Sequence, residues 1–549
     1  MKSKLLSLML CFGLYSMSYA DGFEEFDELS DIIKSISDDD VRALRSCEPG
    51  EASDWLGYLD LLEIPKLFNE DFYNVTSLPN YRNVINYPNF FIFSYQAPKE
   101  QQLTFHMFYN QTSKKHYTQD LEYECTRSKK HEIDGRTLGS YLNIENGTIL
   151  SVLESDLNNF GGLLPSSLAP LRGIDFPKIF TTLSQAALQE RRIGFLAHYY
   201  KQITPKVSLE LKMPILWQVR NLNFTEAEKR TLRQEFSAFQ GDDFDEMKFA
   251  QEHLIMDALG TGTLDITVKY QVKETDKYDL QIGATIYAPT DGHWTRGLYG
   301  TYFEPKDQQP VLRLCDLVRI SATPPRLEKG ASDTVETFFL GALNHLSSAV
   351  LQCPLGYDQH LGVALKILPF WQFRENILYS GVYILEYLFS REKERFFIPK
   401  TETPFSEQFA NFTGTDEAKL DFLERKITER LYPRVFTTNV EPGFLFNTVS
   451  NIQTSYKDWN FTIGYNYWYK SGEKLSGIQT TQAEIDTLNI CKAVNTSASQ
   501  VKIYGKIHRL FETSRHHHNV SFSLYGNLTV YNHNIGNDFS LGCSFDKAF

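Results

Sequence analysis

Nine charged or polar residues stand on one parity of otherwise apolar runs. Glu210, Lys212, Gln218 and Arg220 do so in VSLELKMPILWQVR, Asp265 and Lys269 in TLDITVKYQV, and Lys502, Lys506 and His508 in QVKIYGKIHRLF. Acids, amines and an imidazole turned to one side could line a water-filled bore and tune the passage of small polar solutes. Each alone could equally stand on an ordinary solvated sheet face; only their joint opposition to long apolar faces carries weight. His516, His517 and His518 invite a metal reading, but three consecutive side chains do not converge easily on one ion, and a polar loop before Val520 is the better account. Asp38, Asp39 and Asp40 read as a charge run near a helix end. GxSxG, HExxH, GxGxxG and Walker A motifs are all missing. No catalytic residue, metal site or cofactor is expected, although an enzyme whose site is assembled from distant strands stays an alternative.

The elements that would position these residues are strands, because period two means two different environments. In the first run Val207, Leu209, Leu211, Met213, Ile215, Trp217 and Val219 share the face opposite the charges. The same alternation recurs in Leu103–Tyr109, Ile193–Tyr199, Leu280–Ile286, Trp459–Tyr469, Val520–Val530 and the closing SLGCSFDKAF. The run after Asn376 is apolar on both faces. Several runs span 9–13 residues, longer than the five to six usual in globular proteins and close to the roughly 9–11 that cross a bilayer at a tilt. Trp217, Tyr270, Tyr287, Trp459, Tyr467 and Phe549 lie towards strand ends, where a ring can sit at headgroup level. FPKIFTTLSQAALQERR reads as a short helix, and the chain from Asn223 to about Leu259 as one or two helices opened by a Thr225/Glu228 capping box. Gly330–Leu351 and Asp416–Glu429 fit neither pattern cleanly.

The N-terminus MKSKLLSLMLCFGLYSMSYA has the charged, apolar, small-residue order of a secretory signal peptide cut after Ala20. Residues 21–100 read as a short amphipathic helix followed by irregular chain, a plug or a periplasmic cover. Residues 101–549 carry the strands, with the helical insertion around 225–260. The composition is 42% hydrophobic and 14% aromatic, and the formal charge of −13 argues against a nucleic-acid binder. Past the leader, no stretch of 18 uncharged apolar residues offers a spanning helix. The six later cysteines, Cys47, Cys125, Cys315, Cys353, Cys491 and Cys543, are scattered and leave room for a disulfide or two. Nine N-x-S/T sequons occur, but Asn460 and Asn527 fall on inward strand positions, where a glycan would obstruct folding.

In lipid every backbone group needs a partner, so such a sheet must close, with its last strand paired to its first. The expected fold is therefore all-β: a closed antiparallel transmembrane β-barrel of about 12–16 strands with helical loop insertions. A large secreted β-protein is the alternative. Leader, long alternating strands, polar turns and a terminal strand ending in Phe549 together resemble the bacterial outer-membrane β-barrel (porin-like) proteins. The resemblance is to a general architecture over about half of the mature chain; the fatty-acid transport barrels also carry a plug, but none of their motifs is matched. It implies that Leu541, Cys543, Phe545 and Phe549 form the signal read by the barrel-assembly machinery. Lys547 departs from that pattern. It further implies Sec-dependent export to the outer membrane of a Gram-negative-type bacterium, contact with outer-membrane lipid, and a channel for passive or weakly selective diffusion of small solutes. A homo-oligomer, a surface-exposed binding or adhesion protein, and a secreted protein remain alternatives.

Overall fold

The computed structural model describes residues 80–91, 101–112, 118–120, 132–134, 178, 182, 187–231, 234, 245–302, 340–341, 343–345, 347–400, 405–512 and 519–548. The expected leader, the acidic helix after it, His516–His518 and Phe549 lie outside the described residues.

Period-two runs become strands. In chain order these are β1 Gln101–Thr112, β2 Thr118–Asp120, β3 Glu132–Asp134, β4 Ala187–Thr204, β5 Val207–Asn223 and β6 Ile255–Thr261. There follow β7 Leu264–Glu274, β8 Tyr278–Ala288, β9 His293–Arg296, β10 Gly362–Arg374, β11 Ile377–Leu388, β12 Arg391–Phe397 and β13 Arg434–Glu441. The last are β14 Phe444–Tyr456, β15 Trp459–Lys470, β16 Lys474–Ser476, β17 Ala498–Glu512, β18 Asn519–His533 and β19 Asp538–Ala548. Twelve of them, β1, β4, β5, β7, β8, β10, β11, β14, β15, β17, β18 and β19, form one antiparallel meander. It closes on itself: β19 pairs with β1 from Gln102↔Ala548 to Thr112↔Asp538, and β1 pairs in turn with β4. Closure leaves no barrel edge to satisfy, as a sheet in lipid requires. The strand number is the low end of the expected range.

The two ends of the barrel differ. At one end β4–β5, β7–β8, β10–β11 and β14–β15 are joined by tight turns of two or three residues, and β1 begins and β19 ends there. Every connection of several tens of residues leaves from the other end. At that long-loop end β6 continues the line of β7 and pairs with the upper part of β5, with β9 beside it. β12, β13 and β16 form a separate small sheet there, closed by its own cluster of Phe397, Leu488 and Ala493. Helices among the described residues include α1 Glu246–His253, capped by Asp245, α2 Phe405–Ala410, α3 Asp416–Leu431, capped by Thr415, and α4 Gln482–Ile485, capped by Thr481. Cys491 is disulfide-bonded.

The capping box forms as read: Thr225 N–H donates to Glu228 Oε2 at 2.6 Å and Glu228 N–H to Thr225 Oγ1 at 3.3 Å. Three local readings are corrected. The helical insertion stops at His253, because Ile255–Asn221 to Thr261–Ile215 pairing makes the next residues a strand buried on both faces. The segment expected as a helix to Arg192 is already strand from Ala187, paired with β5. Tyr287 points inward and is buried against Tyr357, with ring centroids 5.0 Å apart, so it is no headgroup anchor.

Candidate functional site

The outside of the barrel is apolar and exposed. Phe105, Met107, Phe195, Ile286, Leu365, Ile452, Ile507, Leu524 and Leu528 all stand on it, and Ile463 is 70% exposed. Rings flank this aliphatic zone at both ends: Tyr270, Trp371, Phe373, Tyr456 and Trp459 near the tight turns, and Tyr387, Phe389, Phe444 and Tyr531 near the long loops. Aliphatic band and two aromatic girdles are the surface that lipid and its headgroups select. On β19, Leu541 and Phe545 are exposed, Cys543 is half-buried, and Ser540 and Ser544 are buried on the opposite side.

All nine residues singled out in the sequence have 7% exposure or less. They do not form one site. Glu210 carries the first cluster: Lys269 Nζ lies 2.8 Å and Lys212 Nζ 3.7 Å from its carboxylate, and His198 Nε2 3.0 Å. Asp265 belongs to a second, where Lys366 reaches it at 2.8 Å and Thr267 donates to it at 2.6 Å. Gln218 and Arg220 meet in a third at Glu190, donating over 3.2 and 2.6 Å, with Arg192 2.5 Å away. Lys502 pairs with Asp538 at 2.6 Å in a fourth. His508 sits beside Ser523 Oγ at 3.0 Å, and Lys506 is buried one inward position before it.

Sequence reasoning missed the partners. Glu190 and Arg192 lay in the stretch taken for helix. Lys366 is a single charge in a run with apolar residues on both sides. Asp538 follows a turn, at the first position of its strand.

The interior is further filled by residues 80–91, two short 3-10 turns, Val84–Asn86 and Pro88–Phe91. Asn83 caps the first turn through its side chain. This segment lies inside the long-loop half, as its partners show. Arg82 Nη2 donates to Asn466 Oδ1 at 2.6 Å, Arg82 Nη1 to Gln500 Oε1 at 3.2 Å, and the guanidinium also reaches the carbonyl of Asn86. From the wall, Arg192 Nη1 donates to the carbonyl of Arg82 at 2.6 Å and to the Tyr87 hydroxyl at 3.1 Å, and Asn447 Nδ2 to the carbonyl of Asn86 at 3.3 Å. Asn86 Nδ2 donates to the Tyr357 hydroxyl at 2.9 Å, which in turn donates to Glu386. Apolar contacts hold it as well: Val84 joins the cluster of Leu196 and Leu216, Ile85 that of Ala364, Leu368 and Val449 on other strands. Phe90 meets Phe108 edge-on at 5.5 Å.

An open pore would wet its wall. Here the wall side chains are buried against each other and against residues 80–91, so among the described residues the arrangement is that of a closed bore. Outside the strands, Glu473 at the long-loop end pairs with Lys470 at 2.9 Å and Arg395 at 3.2 Å. Burial raises its pKa, but these cations outweigh that and hold it at about 2.

A closed antiparallel barrel with an apolar, ring-bordered exterior and a charged interior is the architecture of a transmembrane β-barrel. No protein-family model and no curated protein sequence matches this chain. Solved structures similar to it include an outer membrane channel from Pseudomonas putida F1, at 9% identity and TM-score 0.38, covering 83% of this chain and 97% of that one. A Pseudomonas aeruginosa FadL homologue is similar at 8% identity and TM-score 0.27, over 88% and 96% of the two chains. The Ralstonia pickettii toluene transporter TbuX is similar at 8% identity and TM-score 0.27, over 82% and 90%. Likeness at that level says nothing of solute or mechanism, which must come from the side chains of this chain.

Proposed function

We propose that the protein is an outer-membrane channel, closed in this conformation by residues 80–91, that passes small polar or charged solutes when that segment moves aside. The observation that carries this reading is a non-covalent obstruction. Residues 80–91 cross a charged interior on hydrogen bonds and a few apolar contacts, with no backbone pairing to the barrel strands. Wall groups of both signs, Glu210, Asp265, Lys269, Lys366 and Lys502, would then face the bore, which supports weak selectivity and diffusion down a gradient rather than strict choice of one sign. Tight turns, the start of β1 and the end of β19 at one rim, with long loops at the other, support a periplasmic and an external face respectively.

On this reading residues 1–20 direct Sec export, and Leu541, Cys543, Phe545 and Phe549 are the assembly signal. Deleting Phe549 should then lower the amount of heat-modifiable barrel in the membrane. The channel is tested in planar bilayers. The full chain should show rare openings, and a chain lacking residues 80–91 should conduct steadily. Absence of current from the folded, shortened barrel would overturn the channel. A second reading, surface binding, draws on the β12–β13–β16 sheet with its own core beyond the long-loop rim; retained whole-cell ligand binding by a non-conducting barrel would favour it.

A further inference from the structure

Three guanidinium groups converge where residues 80–91 meet the wall. Arg82, Arg192 and Arg220 are 3%, 2% and 1% exposed, and all three line one cavity of about 50 Å3. Glu190 answers Arg192 and Arg220. Asp538, the other carboxylate of the cavity, is taken up by Lys502, Asn110, Gln500 and Thr529. The acceptors of Arg82 are amide and backbone oxygens, so its charge meets no carboxylate directly. Among the lining residues cations exceed carboxylates, Arg82, Arg192 and Arg220 against Glu190 and Asp538. Buried excess charge is costly unless it is paired.

Three donors also lack acceptors. Arg82 Nε, Arg192 Nε and Arg220 Nη1 are each buried without a hydrogen-bond partner, as is the acceptor Oδ1 of Asn80 in the same lining. The rest of the lining is mixed: Asn80, Thr112, Gln500 and Gly536, with the rings of Tyr81 and Tyr87 and the aliphatic Leu188 and Ile535. We propose that this cavity is a binding site for a small organic monocarboxylate, its carboxylate taken by the free guanidinium N–H groups and its short aliphatic end by Tyr81, Tyr87, Leu188 and Ile535. A carboxylate has two oxygens and about four lone-pair sites, so it can accept N–H groups from more than one guanidinium at once. The volume holds about three waters, enough for a short acid and too little for a long acyl chain. The site does not require the barrel to conduct; if it does conduct, the bound acid bridges the 80–91 segment to the wall.

The test uses the full-length protein in detergent, with the midpoint of heat-modifiable gel mobility read against increasing sodium propionate. Sodium chloride and sodium phosphate at matched ionic strength serve as references. Propionate should raise the midpoint saturably, and the references should not. R82Q should weaken the apparent affinity at least tenfold. L188F, which keeps every cation and fills the apolar wall, should do the same, and covers the case in which R82Q does not fold. Equal shifts from chloride or phosphate, or saturable binding unchanged in L188F, would overturn the site. Propionate binding by a barrel that never conducts would remove the channel and leave the site standing.

Discussion

Arg82 is the residue on which closure of the bore should depend most. Its Nη2 donates to Asn466 Oδ1 at 2.6 Å and its Nη1 to Gln500 Oε1 at 3.2 Å. It thereby joins residues 80–91 to β15 and β17. A hydrogen bond from a charged donor is worth about 1.5–3 kcal/mol, so the two together give about 3–6 kcal/mol. Part of that is offset, because Arg82→Ala also ends the desolvation of a buried guanidinium. A net loss of about 2–3 kcal/mol in the closed form remains. Such a loss shifts a closed-to-open ratio by about 30- to 150-fold. The measurement is the fraction of time that single channels stay open in a planar bilayer, counted as openings rather than as current, since removing a cation also alters conductance. Asn466→Leu removes the facing acceptor from the wall and should move the open fraction in the same direction. The double variant should fall short of the sum by about 0.5–3 kcal/mol, as groups in contact do. If Arg82→Ala, shown by gel mobility to be a folded barrel, opens no more often than the parent, residues 80–91 are not held by this network and the gating argument fails.

Three further outcomes test the frame around it. Glu210→Gln leaves Lys269 and Lys212 beside a neutral amide and should lower stability by about 3–5 kcal/mol, the cost of breaking a buried pair; adding Lys269→Met should recover most of it, and a silent single variant would contradict the cluster. Ile463→Arg sets a charge near mid-strand on the outer face and should cost about 2–4 kcal/mol in lipid, whereas an unchanged unfolding midpoint in vesicles would remove that face from the membrane. Burial lifts the Asp291 carboxyl, at the long-loop end beside Asp358 and Lys393, to about 6. Its folded pKa lies above the unfolded value of about 3.9, so its contribution is fully present below pH 4 and is lost as pH rises through 6. The gel-shift midpoint should therefore fall between about pH 4 and pH 6.5 through this group, by at most about 2–3 kcal/mol of stability, and Asp291→Asn should flatten that step; an identical pH profile in the variant refutes the assignment.

The barrel wall was legible because its strands separate two environments. In β5 every odd residue from Val207 to Val219 is at least half-buried towards the outside, and every even one from Ser208 to Leu222 is buried within. Where both sides of a strand meet protein, the signal vanishes. Ile255–Thr261 is buried on both faces and shows no alternation, so it passed for helix. At the start of β4 the inward Glu190 and Arg192 flank the exposed Arg191, and polarity on both faces hid the strand. Tyr287 was misplaced although parity held the answer: it shares its side of β8 with Gly283 and Thr285, which are buried within. The 80–91 segment left no periodic trace, since what buries it is distant in sequence, as Asn466 is from Arg82.

The partners of the interior charges explain why paired ions suit this bore better than an apolar filling. Several pairs join strands that are not neighbours. Lys366 on β10 reaches Asp265 on β7 across β8, and Lys502 on β17 reaches Asp538 on β19 across β18. The first crossing passes over Gly283 of β8, where a side chain would meet Thr267, Lys269 and Lys366. In the second, Thr529 of β18 lies between and donates to Asp538 at 2.8 Å. A slip of one residue in the intervening strand would turn an outward aliphatic residue into each crossing and strand both charges in a dry interior. Apolar contacts tolerate such a slip far better, because they carry no direction. The charges therefore fix register around the closed sheet, and on the proposed reading they would leave a polar surface for solute if residues 80–91 withdraw. On the proposed channel reading one set of side chains serves folding in the closed form and passage in an open one, so Glu210 and Lys366 should govern stability while Arg82 should govern opening.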